Sequence, residues 1–314
     1  MICFGPVPSR RLGKSLGVNN IIAPKTCSYN CVYCQVGPTI KKSIKRDIHF
    51  KPEVILDNIK HHLSLLDKNN YPEYVTLVSN GEPTLDINLG KTISLLKLTG
   101  FPVAVITNAS LLTDDSVRED LCLADWVSLK IDAATKDIWK TINRPHNKLS
   151  FDRYIESIFL FAQDYKGRLH TESMIIQGIN DTDEHIPLLA ESVKRINPQI
   201  AYLSIPVRPP SEKWVKPPDT KRLNMIWQTF TQKNIITELL TGFEGSDTGF
   251  TGNIYEDILN ITAVHPLRED SLLSLLENDN ADFHVVESLL KQKLIKSTIY
   301  KGKKYFIREY HINA

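Results

Sequence analysis

Long apolar runs are missing from this sequence of 314 residues. No stretch approaches the roughly 20 consecutive apolar residues that a membrane-spanning helix needs. Residues 1–10 contain two prolines and no apolar segment typical of a signal peptide. Internal repeats and low-complexity tracts are also missing. We therefore expect a soluble, cytoplasmic, globular protein with no membrane partner.

Cysteine is scarce, and the net charge is small. The five cysteines are an odd number, and three of them fall within eight positions. This distribution is unlike a disulfide framework and favours a reducing compartment and a metal site. The formal net charge of +2 favours no polyanionic partner by itself, so any electrostatic argument must concern a local patch. A hydrophobic fraction of 42% is ordinary and allows a sizeable core.

Short apolar runs rich in β-branched residues alternate with helical patterns. The predicted strands cover residues 16–22, 74–79, 102–107, 126–131, 172–176 and 202–207. Amphipathic segments such as 53–66 and 151–162 lie between them. This alternation predicts parallel strands joined by right-handed crossovers. The expected fold is α/β, an incomplete (β/α)6 TIM-like barrel over residues 1–260 with its chemistry at the carboxyl ends of the strands.

The pattern changes in residues 264–314, for which we predict a small winged-helix-like domain. Two helices, at 267–277 and 282–293, are followed by two strands, at 294–300 and 304–308. The sequence Lys301-Gly302-Lys303 between those strands is a hairpin signal. A proline-rich segment, 207–218, precedes this region and is expected to form a loop at the barrel mouth.

The strongest chemical feature is the spacing Cys27-x3-Cys31-x2-Cys34. Thiolates bind iron–sulfur clusters, usually in sets of four. Three thiolates would leave one iron of a [4Fe–4S] cluster open to another ligand. The alternatives are a zinc site completed by a distant fourth ligand and three thiols that lie close together without binding a metal. Cys3 and Cys122 lie outside this motif, and Cys122 is expected to be a buried helical thiol.

This spacing, after the first strand of a repeating strand–helix chain, resembles the signature of the radical S-adenosylmethionine (SAM) superfamily. The aromatic residue common before the third cysteine is Tyr33 here. The resemblance covers about residues 16–210 and implies a [4Fe–4S] cluster on Cys27, Cys31 and Cys34. In that superfamily SAM chelates the open iron, and an electron passed to its sulfonium yields a 5′-deoxyadenosyl radical. A flavodoxin- or ferredoxin-type electron donor is therefore implied as a partner.

A second motif, Ser79-Asn80-Gly81-Glu82-Pro83, follows a predicted strand. It resembles the family's Gly-Gly-Glu-Pro segment, whose backbone and glutamate receive the methionyl ammonium of SAM. Asn80 replaces the first glycine of that pattern. The resemblance thus implies that Asn80, Gly81, Glu82 and Pro83 bind SAM. The alternative is an ordinary strand-to-helix turn with a solvated glutamate.

Further SAM contacts are expected at the ends of other strands. Asn108 follows the third strand, where related enzymes place polar groups near the ribose or the substrate. Ser128 and Lys130 point to one face of the fourth strand, and they either line the site or are satisfied core polar groups. Gly178 lies in a segment that resembles the one packing against adenine.

The N-terminal string Gly5-Pro6-Val7-Pro8-Ser9-Arg10-Arg11-Leu12-Gly13 resembles a radical SAM subgroup related to wyosine-base (4-demethylwyosine) synthases. Arg10 and Arg11 could grip a phosphate or carboxylate of the substrate, or lie solvated in a surface turn. Archaeal wyosine synthases carry three additional cysteines ahead of the SAM motif. Only Cys3 precedes Cys27 here, so a second cluster is not expected.

The tail is locally basic. Residues 291–308 contain seven lysines or arginines and no acidic residue, with Lys301, Lys303 and Lys304 at the predicted hairpin. Such a patch fits contact with a phosphate backbone, so tRNA or another nucleic acid is one expected partner. Strand addition by a peptide or protein substrate is a second interpretation. A solvated edge that blocks aggregation is a third.

Three functional hypotheses follow. The first is a radical SAM enzyme that modifies an RNA base, with tRNA as the expected substrate. The second is a radical SAM enzyme that modifies a peptide or protein side chain. The third is a non-catalytic iron–sulfur redox sensor that binds DNA. The Gly81-Glu82-Pro83 segment argues against the third, because a sensor has no need of a SAM site.

Overall fold

The structure is a computed structural model, and it describes residues 2–242, 245 and 248–309. The strands are β1 Cys3–Ser9, β2 Gly13–Val18, β3 Thr26–Cys27, β4 Lys41–Lys42, β5 Tyr74–Leu77, β6 Val103–Thr107, β7 Trp126–Lys130, β8 Arg168–Met174, β9 Ile200–Ser204, β10 Thr237–Leu240, β11 Leu267–Arg268, β12 Ile295–Tyr300 and β13 Lys303–Arg308. The helices are α1 Pro52–Leu65, α2 Leu89–Leu96, α3 Asp115–Cys122, α4 Lys136–Asn143, α5 Phe151–Asp164, α6 His185–Ile196, α7 Thr220–Gln232, α8 Ile254–Thr262, α9 Glu269–Asn278 and α10 His284–Lys291.

Eight strands form one open, curled sheet in the order β1-β2-β5-β6-β7-β8-β9-β10. Strand β1 is antiparallel to β2, and every later neighbour in this sheet is parallel. The predicted α/β half-barrel is therefore confirmed. The strand count was wrong, because the prediction of six parallel strands missed β10 and the antiparallel edge strand β1.

The two missed strands have sequences that hide them. Strand β1 contains Pro6 and Pro8, which cannot donate ladder hydrogen bonds and are tolerated because β1 is an edge strand. Strand β10 lies at the opposite edge and has only one buried residue, Leu240, so it shows no alternating apolar pattern. Edge strands of this kind escape a search for apolar runs.

Helices α1 to α7 contribute buried residues to the main hydrophobic core, against the eight-stranded sheet. In α1, Pro52 occupies the first turn, where its missing N–H costs nothing. Ile55, Ile59 and Leu63 then recur at helical spacing and enter the main hydrophobic core. The predicted first strand, at 16–22, ends early at Val18. There the Oδ1 of Asn19 accepts a hydrogen bond from the backbone N–H of Ile21 and turns the chain away from the sheet.

The two helices and the two hairpin strands of the C-terminal region lie in the predicted order, but Leu267–Arg268, predicted as the start of a helix, is strand β11. Strands β11, β13 and β12 form a small antiparallel sheet beside α9 and α10. Lys301 and Gly302 both have positive φ, 49° and 73°, as a tight two-residue hairpin turn requires. The apolar core of this C-terminal region also includes Phe4 and Val7 of β1 and part of α8. The winged-helix assignment and the boundary between 260 and 264 remain predictions.

The proline-rich segment is a loop, as the sequence predicts, since no helix or strand lies between β9 and α7. Among the described residues, no helix is long and apolar enough to cross a membrane.

Candidate functional site

The three motif cysteines lie on one loop at the carboxyl edge of the sheet. Cys27 is buried at the end of β3, whereas Cys31 and Cys34 are half-buried. The loop is tied to the end of α4, because the backbone N–H of Val32 donates to the carbonyl of Ile142 at 2.9 Å. Ordinary backbone hydrogen bonds thus hold the thiols in place.

Each of these thiols receives a hydrogen bond from its own side-chain donor. Nδ2 of Asn108 lies 3.6 Å from Sγ of Cys27, and Nδ2 of Asn143 lies 3.5 Å from Sγ of Cys31. Nζ of Lys25 lies 3.0 Å from Sγ of Cys34. Donors aimed at sulfur stabilise thiolates and tune the iron–sulfur clusters that thiolates hold. The donor set therefore fits three cluster-bound thiolates.

Charge around these cysteines depends on Lys25. Burial lowers the pKa of its ammonium, but the neighbouring Cys34 and Cys27 outweigh burial, and the net pKa is raised. Burial raises the pKa of Cys27 to about 12, and the Glu82 carboxylate adds to this rise. The Cys27 thiol is thus protonated until a cation offsets the charge of its thiolate, as metal binding does.

The three cysteines do not converge as ligands of one ion. Within residues 2–242, 245 and 248–309, no three His, Cys, Asp or Glu side chains surround a common point that could hold a single metal ion. In a [4Fe–4S] cluster each cysteine binds a different iron, so the thiols stay apart.

The 79–83 segment packs directly against this loop. A Cβ on Gly81 would lie 1.9 Å from the carbonyl oxygen of Thr26, so only glycine fits. The backbone N–H of Glu82 donates to that same carbonyl at 3.2 Å. The glycine therefore permits a close approach between the two motifs that were predicted to act together.

The Glu82 carboxylate is buried, and protein groups hold it. Its Oε1 accepts from the hydroxyls of Thr84 and Thr107 at 2.7 and 2.6 Å and from the backbone N–H of Thr84 at 3.1 Å. Its Oε2 accepts from the backbone N–H of Asn108 at 2.8 Å. Burial raises the pKa of Glu82, and these hydrogen bonds oppose the rise. The solvated-glutamate alternative is wrong, because Glu82 joins the ends of β5 and β6.

Asn80 carries an unmatched acceptor. Its backbone N–H donates to Oδ1 of Asn19 at 3.2 Å. Its own Oδ1 is buried with no hydrogen-bond partner among the described residues. A buried amide oxygen is stable only when a donor reaches it. The position therefore suits a ligand with an N–H group. Pro83, the next predicted contact, is buried and accepts from Nδ2 of Asn20 at 3.0 Å.

Asp132 organises the barrel wall next to Cys31. Its Oδ2 accepts from the hydroxyl of Tyr33 at 2.5 Å and from Nδ2 of Asn143 at 2.7 Å. Lys130 lies with Nζ 5.0 Å from the centre of the Tyr33 ring. Tyr33 is thus held between a carboxylate and an ammonium. Burial lowers the pKa of Lys130.

The two N-terminal arginines, Arg10 and Arg11, lie in different environments. Arg11 enters the barrel and forms an ion pair with Glu172 of β8, which also accepts from Lys130 at 3.0 Å. The neighbouring Leu12 is buried with Trp126 inside the barrel. Arg10 donates to the carbonyl of Gly242 at 3.1 Å. Arg11 is therefore not in a solvated surface turn.

Two predicted SAM contacts, Ser128 and Gly178, form no hydrogen bond with the cysteine loop among the described residues. Ser128 is buried in β7 opposite His170, and its hydroxyl has no partner there. Gly178 is exposed in the turn after β8, with φ at 73° and no described atom within 4 Å of a Cβ position. Its backbone N–H donates to Asp181 at 2.7 Å.

The basic hairpin docks on the barrel mouth. The hydroxyls of Tyr300 and Tyr305 donate to the carbonyls of Pro206 and Val207, at 3.0 and 3.2 Å. Lys301 and Lys303 line a cavity there. Lys304 points elsewhere and forms an ion pair with Glu269 at 3.0 Å. The structure therefore separates three lysines that the sequence grouped.

The sequence interpretation missed some contacts. Lys25 lies two residues before Cys27, and a cation so close to the motif was a usable signal. Asn143 is 112 residues from Cys31, and no local pattern links them. Cys122 is exposed, which corrects the prediction of a buried thiol. It lies one residue past the buried Leu121, so the helical turn carries it off the core face.

Comparison with known proteins gives the family. A family model described as the radical SAM superfamily matches residues 21–193. The chain belongs to the radical SAM superfamily. It is therefore an enzyme of the kind that uses a [4Fe–4S] cluster and SAM, as the cysteine motif predicted. Such enzymes also need an electron donor.

Individual relatives refine this picture. The chain is 45% identical to a UPF0026 protein of Methanocaldococcus jannaschii, over 98% of this chain and 96% of the relative. A radical SAM methyltransferase from Sphaerobacter thermophilus matches in structure with a TM-score of 0.53 at 12% identity, over 72% of this chain and 66% of that one. TYW1 with a bound lysine–pyruvate adduct covers 95% of this chain and 81% of its own at 16% identity, with a TM-score of 0.48. The wyosine subgroup is not confirmed by these relatives.

Proposed function

We propose that this radical SAM enzyme holds its cluster on Cys27, Cys31 and Cys34 and modifies a base of an RNA. The observation that carries the cluster assignment is the set of three side-chain N–H donors, one for each thiol, from Asn108, Asn143 and Lys25. These donors come from widely separated parts of the chain. Such an arrangement serves three thiolates better than three inert thiols.

When bound, the cluster and SAM would supply one-electron cleavage of the C5′–S bond, which would give methionine and a 5′-deoxyadenosyl radical able to take a hydrogen atom from the substrate. The electron enters from outside the chain, and a flavodoxin- or ferredoxin-type protein is the proposed donor. The chain's own residues orient the reactants and exclude water from them.

For the methionyl end of SAM we propose the 80–83 segment. Oδ1 of Asn80 has no partner among the described residues, and Oε2 of Glu82 accepts one hydrogen bond and retains a lone pair. An ammonium group offers three donors, so it can satisfy both oxygens. Gly81 keeps this segment against the cysteine loop. In this proposal Asn80 replaces the missing first glycine with an amide acceptor.

The RNA assignment rests on where the basic hairpin lies. Tyr300 and Tyr305 fix it to the segment that follows β9, on the same edge of the sheet as the cysteine loop. Positive charge at the mouth of the barrel would draw a polyanion towards the reacting centre. A peptide substrate adding to β12 remains the second candidate, because β12 is an edge of the small sheet.

Two measurements test this function. Anaerobically reconstituted protein with a strong reductant should release 5′-deoxyadenosine from SAM, and the Cys31→Ala variant should release none. Deletion of the gene should then remove a modified nucleoside from bulk tRNA digests. Iron uptake without any SAM cleavage would contradict the enzyme assignment and favour the DNA-binding sensor. Unchanged nucleosides together with a lost peptide modification would move the substrate to the peptide class.

A further inference from the structure

A cavity of about 200 Å³ lies where the carboxyl ends of β9 and β10 meet the C-terminal hairpin. Four cationic side chains line it: Arg208, Arg268, Lys301 and Lys303. Asp270 accepts hydrogen bonds from Nε and Nη2 of Arg268, so Arg268 adds little net charge, and the positive charge of the wall lies mainly on the other three. His265 also lines the wall. No Asp or Glu belongs to that wall among the residues the structure describes. A concave site with this charge selects an anion.

The hairpin geometry sets which lysines face the cavity. The hydroxyl of Tyr305 is anchored on the carbonyl of Val207, and side chains alternate along β13. Lys303 therefore shares the face of Tyr305, towards the cavity, whereas Lys304 points to the other face and pairs with Glu269. Lys301 faces the cavity because it lies in the tight turn between the two strands. The fold, and not the composition, determines which of these lysines face the cavity.

The cavity is connected to the cysteine loop by side-chain contacts. Nη1 of Arg208 donates to Oε1 of Gln35 at 2.9 Å, and Gln35 directly follows Cys34. In the same loop as Arg208, the hydroxyl of Ser211 donates to the carbonyl of Cys34 at 3.2 Å. An anion held by Arg208 would thus lie two side chains from the proposed cluster ligands.

We propose that this cavity binds a phosphate group of the substrate and so fixes a nucleotide over the reacting centre. Arginine provides planar, forked contacts to phosphate oxygens, and lysine adds mobile point charges. The volume is below the roughly 300–1,000 Å³ of pockets that enclose a whole small molecule. It suits a phosphate with part of a sugar, while the base extends towards the barrel. This inference rests on the proposed function in taking the ligand to be the enzyme's substrate.

Direct binding to the full-length, cluster-loaded protein tests the site. The probes are uridine, uridine 5′-monophosphate and a short oligoribonucleotide with hydroxyl groups at both ends. Uracil is chosen over adenine so that the SAM site does not contribute. The variant is Lys301→Asn with Lys303→Gln. Asparagine tolerates the positive φ of 49° at residue 301, so the turn is kept. Lys296→Gln, on the exposed face of β12, is the matched control.

We expect the monophosphate or the oligoribonucleotide to bind and uridine not to bind. The double variant should weaken that binding about tenfold, while Lys296→Gln leaves it unchanged. Binding of the monophosphate alone assigns a terminal phosphate, and binding of the oligoribonucleotide assigns an internal phosphodiester; either result supports the site. Equal losses in the double variant and the control would show diffuse attraction and overturn it. Failure of both phosphate probes to bind, or preference for a phosphate-free peptide, would also overturn it.

Cleavage of SAM to 5′-deoxyadenosine without substrate is measured in the same samples. Cleavage that persists without phosphate binding refutes only the cavity. Phosphate binding without cleavage refutes only the radical chemistry. The two failures are therefore distinguishable.

Discussion

Two regions meet at the carboxyl edge of the curled sheet, the cysteine loop and the basic cavity. The cysteine loop is built from residues close in sequence, and carboxylates such as Glu82 and Asp132 lie beside it. The cavity takes Arg208 from a barrel loop and Lys301 and Lys303 from a distant hairpin. In our proposals, chemistry and substrate binding thus lie on different parts of the chain. The comparison implies that each can be disabled while the other survives.

The largest expected effect separates the two regions outright. Cys31→Ala should reduce iron from about four per chain to nearly none, because a cluster needs all three thiolates of this motif. Nucleotide binding in the cavity should persist in the same protein. Iron analysis after anaerobic reconstitution measures the first effect. The control is Cys122→Ala, at an exposed helical cysteine. If Cys31→Ala held as much iron as Cys122→Ala, the ligand assignment would be refuted.

The same substitution should act differently in the two regions. Gly81→Ala places a Cβ 1.9 Å from the carbonyl oxygen of Thr26, and should lower the free energy of unfolding by about 1–3 kcal/mol. Gly242→Ala, beside the cavity, meets no described atom within 4 Å and should change little. Urea titration of both variants measures the difference. Equal stability would show that the packing of Gly81 against Thr26 is unimportant.

A smaller effect concerns Lys25, whose ammonium lies 3.0 Å from Sγ of Cys34. Reduction adds negative charge to a cluster, so removing this donor should lower the reduction potential. We expect Lys25→Gln to lower it by roughly 50–100 mV. A redox titration followed by electron paramagnetic resonance measures the shift. Lys60→Gln, on the exposed side of α1, is the control, and an unchanged potential in Lys25→Gln would contradict the contact.

The smallest effect is an opposite pH response of the barrel and the C-terminal core. Burial lowers the pKa of His185 in the barrel to about 4, below its ordinary 6.5, so its contribution to stability is lost as pH falls from 6.5 towards 4. Burial raises the pKa of Asp257 beside the C-terminal core to about 6, above its ordinary 3.8, so its contribution is present at low pH and is lost as pH rises through 6. Each slope should be about 1 kcal/mol per pH unit.

Variants of these two residues isolate the slopes. His185→Gln should flatten the loss of stability below pH 6.5, and Asp257→Asn should flatten the loss between pH 4 and 6. Urea unfolding of the cluster-free protein at several pH values measures both. Identical pH profiles for the wild type and both variants would show that these buried groups do not titrate as described.

The sequence predicted the part of the fold that repeats. Strands β5, β6, β7 and β9 lie close to their predicted positions, because each is an apolar run between turn signals. Strand β8 starts four residues before the predicted 172–176, because its first half is mostly polar and shows no apolar run. Strands β1 and β10, at the two edges of the sheet, were missed. Strand β1 contains prolines, and β10 buries only one residue, so neither shows the pattern expected of a strand. Local motifs likewise brought the cysteines and the 80–83 segment together. Asn143 and Arg208 join the site only through tertiary packing, which leaves no signal in one sequence.

Grouping the hairpin lysines by composition had a similar limit. Charge density alone placed Lys301, Lys303 and Lys304 in one patch, but strand alternation puts Lys304 on the other face with Glu269. A residue's sign of charge is read from sequence, whereas the direction of its side chain follows from the turn and the register. The cavity therefore emerged only from the fold.

The most direct test of this division is the rate of 5′-deoxyadenosine formation with and without bulk tRNA. In the wild type and in Lys296→Gln, tRNA should stimulate formation above the uncoupled rate, because a bound substrate gives the radical a hydrogen atom to remove. The Lys301→Asn, Lys303→Gln variant should keep the uncoupled rate and lose the stimulation. Full stimulation in that double variant, or none in the wild type, would contradict the account.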